Sequence, residues 1–95
     1  MEGMTAFIYR WKIPYAMQSE FVQNWKELTE QVKADYGMRS AELLQFNQEF
    51  VSVTHWPTFE AWDKWKSELS DHPYRIKWRE YKIGELQMLT PVATV

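Results

Sequence analysis

The sequence predicts an α+β domain built as one β-α-β-β-α-β unit. Its hydrophobic spacing changes in that order between two residues and 3.6 residues, the chain holds only 95 residues, and nothing in it resembles a linker. Residues 5–13 open as a strand dense in aromatic and β-branched side chains. Residues 17–36 switch to the helical period, with Phe21, Trp25, Leu28 and Val32 on one stripe. That helix is expected to begin within residues 16–19, to carry Glu20 at the positive end of its dipole and Lys33 near the other, and to stop at Gly37. Residues 39–46 and 50–56 return to strand character, and Asn47, Gln48 and Glu49 between them suit a hairpin loop. A second helical stripe passes through Phe59, Trp62, Trp65 and Leu69, with Thr58 as its capping hydroxyl and Glu60 in its first turn. The break at residues 70–74, SDHPY, leads into a short third helix that starts at Pro73 and runs to about Tyr81. Residues 83–90 close the unit as the fourth strand.

Residues 1–95 therefore read as a single domain. It is 45% hydrophobic and carries six Trp, five Tyr and five Phe, more large apolar area than one small core needs. A sheet covered by helices on one side leaves its other face to water or to a partner, and both strand faces here carry apolar side chains. A homodimer joined through the open sheet face is expected. The net charge is −2, with acidic and basic residues well mixed, so nucleic acid is not an expected partner. RNA-binding domains share this element order, but they need a basic groove and a Gly/aromatic strand motif that residues 39–56 do not supply. Cysteine is absent, which removes disulfides, thiolate catalysis and sulfur-ligated metals. No apolar run approaches the roughly 20 residues that span a bilayer, and residues 1–13 have the wrong pattern for a secretory signal. The expected setting is the cytoplasm, away from membranes.

Strand alternation places Ser52, Thr54 and Trp56 on one face and His55 on the other; Tyr9 and Trp11 share a face with Phe7, and Arg10 points oppositely. Which face lines a pocket is left open. His55 is the only strand histidine and has the unperturbed pKa of a general base, yet its position opposite Trp56 favours an interface role over catalysis. Trp56 and Trp62 read first as core packing and second as pocket walls. Asp71 or His72 can cap the third helix, and His72 reads as a cap residue before a base or ligand. Glu60, Asp63, Lys64, Lys66 and Glu68 read as a solvated helix face. Two histidines on different elements, with no cysteine, make no metal site.

The stretch 50–65, FVSVTHWPTFEAWDKW, has a strand ending in Trp followed by a helix of the form T-F-E-A-W, and it resembles the antibiotic biosynthesis monooxygenase domain family. Residues 36–44, where a glycine precedes a strand with a small residue and a leucine pair, and FVQNW at 21–25 are similar to the same family; the likeness spans about residues 7–89. It implies a ferredoxin-like protomer with an antiparallel sheet, paired sheet to sheet into a dimeric α+β barrel, with a pocket in each protomer between sheet and helices. Several relatives oxygenate electron-rich polycyclic phenols or quinols with O₂ and no bound cofactor, because the ionised substrate can itself give an electron to oxygen. In the quinone-forming members a tryptophan closing the third strand matches Trp56, an asparagine four residues earlier corresponds to Ser52, and a tyrosine on the next helix corresponds to Trp62. A later arginine matches Arg75 or Arg79. Haem-degrading branches use a helix tryptophan and a histidine ten residues beyond it, which Trp62 and His72 resemble, although Tyr9 replaces their first-strand asparagine.

The expected activity is a cofactor-independent monooxygenation of a small aromatic, phenolic or quinol-like substrate. His55, Tyr9 or Arg10 would stabilise or deprotonate the substrate, and Trp56, Trp62, Ser52, His72 and Arg79 would contact it. The alternative is a non-catalytic ligand-binding or structural dimer of the same fold; haem binding ranks third.

Overall fold

The computed structural model describes residues 4–93. Strand β1 (Thr5–Lys12) leads through a 3₁₀ turn at Tyr15–Met17 into α1 (Gln18–Tyr36), followed by β2 (Ser40–Phe46), β3 (Glu49–Trp56), α2 (Phe59–Glu68), α3 (Pro73–Arg79) and β4 (Gln87–Leu89). The four strands form one antiparallel sheet in the order β2-β3-β1-β4. This is the expected α+β, ferredoxin-like arrangement: each βαβ half is split by a strand of the other half.

Local chemistry explains most boundaries. Gly37 adopts φ 75°, the left-handed conformation that ends α1 without a Cβ penalty. Thr58 accepts a hydrogen bond from the Ala61 amide at 3.1 Å and starts α2. His72 Nδ1 accepts from the Tyr74 amide at 3.1 Å and starts α3, with Pro73 in the first turn where it lacks nothing the helix needs. The β2–β3 hairpin is tighter than expected. Phe46 pairs with Glu49, so only Asn47 and Gln48 form the turn, and Asn47 takes the positive φ of 55° that asparagine tolerates. The last strand is also shorter than residues 83–90. Lys82 bridges to Trp11 and the Ile83 amide donates to the Arg10 carbonyl, but Gly84 at φ 67° then turns the chain away, and pairing resumes only at Gln87.

The register of β1 on β3 sets two unlike sheet faces. Phe7 pairs with Thr54, Tyr9 with Ser52 and Trp11 with Phe50, so these side chains share the face covered by the helices. The buried core lies there, joining Phe7, Trp11, Phe50 and Trp56 to Phe21, Leu28 and Val32 of α1, Trp62 of α2 and Trp78 of α3. The opposite face holds Ile8, Arg10, Val51, Val53 and His55, flanked by Leu44 and Phe46 of β2 and Leu89 of β4; Phe46 is 73% exposed. No described helix is long and apolar enough to cross a membrane.

Phe7 is 1% exposed and stacks on Trp62 with ring centroids 3.9 Å apart. Phe7→Ala is expected to lower unfolding free energy by about 3–5 kcal/mol in urea titration. Thr58→Ala, which removes only a cap, should cost about 1 kcal/mol. Losses of equal size would contradict this placement of the core.

Candidate functional site

Between the sheet and its helices lies a cavity of about 420 Å³, a size common for small-molecule sites. Its floor is the helix-side sheet face, Tyr9 and Trp11 of β1 with Ser52, Thr54 and Trp56 of β3. One wall is α1, through Trp25, Leu28, Thr29 and Val32; the other is α2 and α3, through Trp65, Lys66, Arg75, Trp78 and Arg79. Lys82 and Leu86 come from the segment that Gly84 bends off the sheet edge. The strand period of two and the helix period of 3.6 thus converge one aromatic face of each element on a shared space.

Indole N–H groups organise the polar atoms in this aromatic shell. Trp25 Nε1 donates to Ser52 Oγ at 3.2 Å, and Trp56 Nε1 donates to Thr54 Oγ1 at 3.0 Å. Thr54 Oγ1 in turn donates to the Phe7 carbonyl at 3.4 Å, so its capacity is used within the wall. Trp62 Nε1 donates to the Tyr9 hydroxyl at 2.8 Å. Ser52 and Tyr9 therefore each accept from an indole while their own hydroxyl protons have no acceptor among the described residues. Trp65 Nε1 is buried with no partner at all among them. Three neutral donors in the cavity wall are unspent.

Burial pushes the Tyr9 hydroxyl up to about 12; the Trp62 hydrogen bond and the Arg75 charge oppose the rise without cancelling it. At neutral pH Tyr9 is a hydrogen-bond donor and not a base. Burial also lowers Arg75 from the usual arginine range, an effect that Tyr9 counters and Arg79 reinforces. The Arg75 guanidinium lies 4.5 Å from the Trp65 ring centroid and donates to the Lys66 carbonyl at 2.9 Å, while Arg79 donates to the Ser70 carbonyl.

The cavity brings together four of the eight residues singled out in the sequence: Tyr9, Ser52, Trp56 and Arg79. His55 and Arg10 lie on the opposite sheet face, where His55 Nδ1 is 3.2 Å from Ser40 Oγ and Arg10 is exposed. Strand parity separates both from the floor. Trp62 sits behind the wall, buried between Phe7 and Phe59 and bonded to Tyr9. His72 caps α3 and stacks on Tyr74, with centroids 4.9 Å apart, so Trp62 and His72 do not meet at the cavity as a haem site would require. Lys66 is exposed, as expected of a solvated face, and also reaches the rim of the cavity, with its ammonium 4.9 Å from the Trp62 ring centroid. Trp25, Trp65 and Lys82 had no sequence assignment to a pocket. The helical stripe through Trp25 and Trp65 was a signal of burial; it could not tell a packed interior from a hollow one.

Residues 4–72, more than half of the chain, match the antibiotic biosynthesis monooxygenase family. The chain belongs to that family. Solved structures share its fold at low sequence identity. A mutant of SnoaB, a cofactor-independent oxygenase from Streptomyces nogalater, superposes with TM-score 0.79 at 18% identity, covering 98% of this chain and 97% of that one. Rv0793 from Mycobacterium tuberculosis gives TM-score 0.71 at 18% identity, covering 96% and 97%. MupZ from Pseudomonas fluorescens gives 0.74 at 7% identity, covering 90% of this chain and 69% of that one. No curated protein matches the sequence.

Tyr9→Phe would strand the buried Trp62 N–H and is expected to cost about 1–3 kcal/mol at neutral pH. Its pH dependence has a definite sign. A hydroxyl raised from 10.0 to about 12 stabilises the fold fully below pH 10, because both states are then protonated; that contribution is lost between pH 10 and about 12 as the unfolded chain ionises first. Urea titrations across this window should show a shallower alkaline decline for Tyr9→Phe than for the parent protein, and parallel declines would refute the assignment.

Proposed function

We propose that this family member is a cofactor-independent monooxygenase acting on a small aromatic, phenolic or quinol-like substrate, with O₂ as co-substrate, in the cytoplasm. The observation that carries the reading is the cavity itself: an aromatic space of about 420 Å³, not filled by side chains, whose lining residues Tyr9, Ser52 and Trp65 keep donors without an acceptor among the described residues. A flat polycyclic phenol would lie among Trp11, Trp25, Trp56 and Trp65, and its oxygen would take hydrogen bonds from Ser52, Tyr9 or Trp65. Those bonds favour the ionised ring, the form that gives an electron to O₂.

For an anthrone-type substrate the electrons balance without an external reductant. The ring CH₂ becomes C=O: one C–O bond forms, two C–H bonds and the O–O bond break, and the second oxygen leaves as water. All four electrons come from the substrate. Anthrone with O₂ should therefore be consumed faster than in buffer. Trp56→Ala and Ser52→Ala should each reduce the protein-dependent rate about tenfold or more, read as oxygen uptake. Equal uptake with and without protein across anthrones and hydroquinones would remove the proposal.

One observation favours the non-catalytic alternative: among the described residues no His, Asp or Glu lines the cavity, so no imidazole or carboxylate base faces a substrate that does not ionise by itself. Binding of an anthrone without oxygen uptake at pH values on both sides of its ionisation would support that reading.

The assembly we propose is a homodimer closed through the open sheet face, where Leu44 is 47%, Leu89 47% and Phe46 73% exposed. Phe46→Glu should convert a dimeric mass in light scattering to a monomeric one. A monomer in the parent protein at micromolar concentration would exclude this assembly.

A further inference from the structure

Among the described residues four cations line the cavity, Lys66, Arg75, Arg79 and Lys82, and no carboxylate does. This is not a bias of composition, because the chain holds thirteen acidic residues against eleven basic ones. Nor are the cations neutralised from outside: the only ion pair among the described residues is Lys77 with Glu20, on another part of the surface. Arg75 and Arg79 stand one helical turn apart on α3, where like charges repel, and each has spent one N–H on a backbone carbonyl. A guanidinium carries five N–H donors in a planar fork that matches a carboxylate, so most of both forks remain available. Lys66, Arg79 and Lys82 are exposed at the rim and Arg75 is half-buried; the contacts of Arg75 with Trp65 and of Lys66 with Trp62 place these side chains but leave their charges without a counter-ion among the described residues.

We infer that the ligand of this cavity carries a fixed anionic substituent, of the aryl carboxylate class, whose charge is held by Arg75 and Arg79 while its ring system lies on the aromatic floor. The inference rests on the reading of the cavity as a site for an aromatic guest and adds a second pole to it. The neutral donors of Tyr9, Ser52 and Trp65 take the ring oxygen; the guanidinium pair takes the acid. Lys66 and Lys82 raise the local positive potential and speed the encounter. Arg75 also lies against the face of Trp65, so an acid bound there is seated at one edge of the floor and its ring can project inward.

The test is a comparison of 2-naphthoate with 2-naphthamide, a neutral analogue of the same shape, by quenching of tryptophan fluorescence. The acid should bind at least tenfold more tightly than the amide, and the gap should narrow as salt is raised. In Arg75→Gln/Arg79→Gln the acid should lose at least tenfold in affinity and bind no more tightly than the amide, and a near-ultraviolet circular dichroism spectrum like that of the parent protein would show that the aromatic cavity has survived the substitution. Equal binding of acid and amide in the parent protein, a preference that persists in the double variant, or no binding of either compound would each overturn the inference. The oxygenase reading is decided separately. Anthrone consumption without a naphthoate preference removes only the anionic pole; a naphthoate preference without oxygen uptake on any anthrone removes only the oxygenase.

Discussion

The antiparallel register of β1 on β3 puts Tyr9 opposite Ser52, Phe7 opposite Thr54 and Trp11 opposite Phe50, and every feature of the cavity follows from that pairing. Side chains alternate across a sheet, so a slip of one residue would carry the aromatic floor to the uncovered face and bring Ile8, Arg10 and His55 beneath the helices. The slip is opposed by the burial of Phe7, Phe50 and Trp56, each 1–2% exposed, because moving them to water would forfeit roughly 1.5–3 kcal/mol per side chain. The same burial that stabilises the fold fixes which polar groups reach the cavity.

Aromatic side chains here serve two ends. Phe7, Trp62 and Phe59 pack ring on ring behind the wall, and Trp11, Phe21, Trp78 and Phe50 form a second cluster at the other end of the floor. Between the clusters, Trp25, Trp56 and Trp65 turn indole edges and faces toward open space. Large rigid rings cannot collapse into a gap as aliphatic chains can, which lets a domain of this size keep a cavity of about 420 Å³. The indole N–H groups of Trp25 and Trp62 donate to Ser52 and Tyr9 and hold their oxygens in place, which leaves the hydroxyl protons free to donate elsewhere.

The electrostatics divide the cavity into regions. Deep in the floor the groups are neutral, and Tyr9 is held neutral by its own burial. At the α2–α3 side the groups are cationic and uncompensated. Among the described residues the cavity lacks an imidazole or carboxylate base and carries a surplus of positive charge, which would favour an anion over taking a proton from a reluctant acid. In the oxygenase we propose, that division would let a substrate that ionises by itself be held in its charged form.

By itself the sequence determined the element order, the helix cap at Thr58, a cap at Asp71 or His72, the stop at Gly37 and the face shared by Ser52, Thr54 and Trp56. Each of these follows from local rules of period, φ preference or side-chain capping that act within a few residues. The family resemblance carried by residues 50–65 added the ferredoxin-like topology and the antiparallel sheet. Only the tertiary structure decided which face of the sheet is covered, that His55 and Arg10 are excluded from the cavity, that Trp62 supports the wall from behind, and that Lys66, Arg75, Arg79 and Lys82 converge. The reason is separation along the chain. Tyr9 and Trp62 lie 53 residues apart and Trp25 and Ser52 lie 27 apart, so their meeting depends on how α1 and α2 cross the sheet. Periodicity marks a residue as buried, but whether it is buried against a neighbour or against an empty space is settled by three-dimensional packing alone.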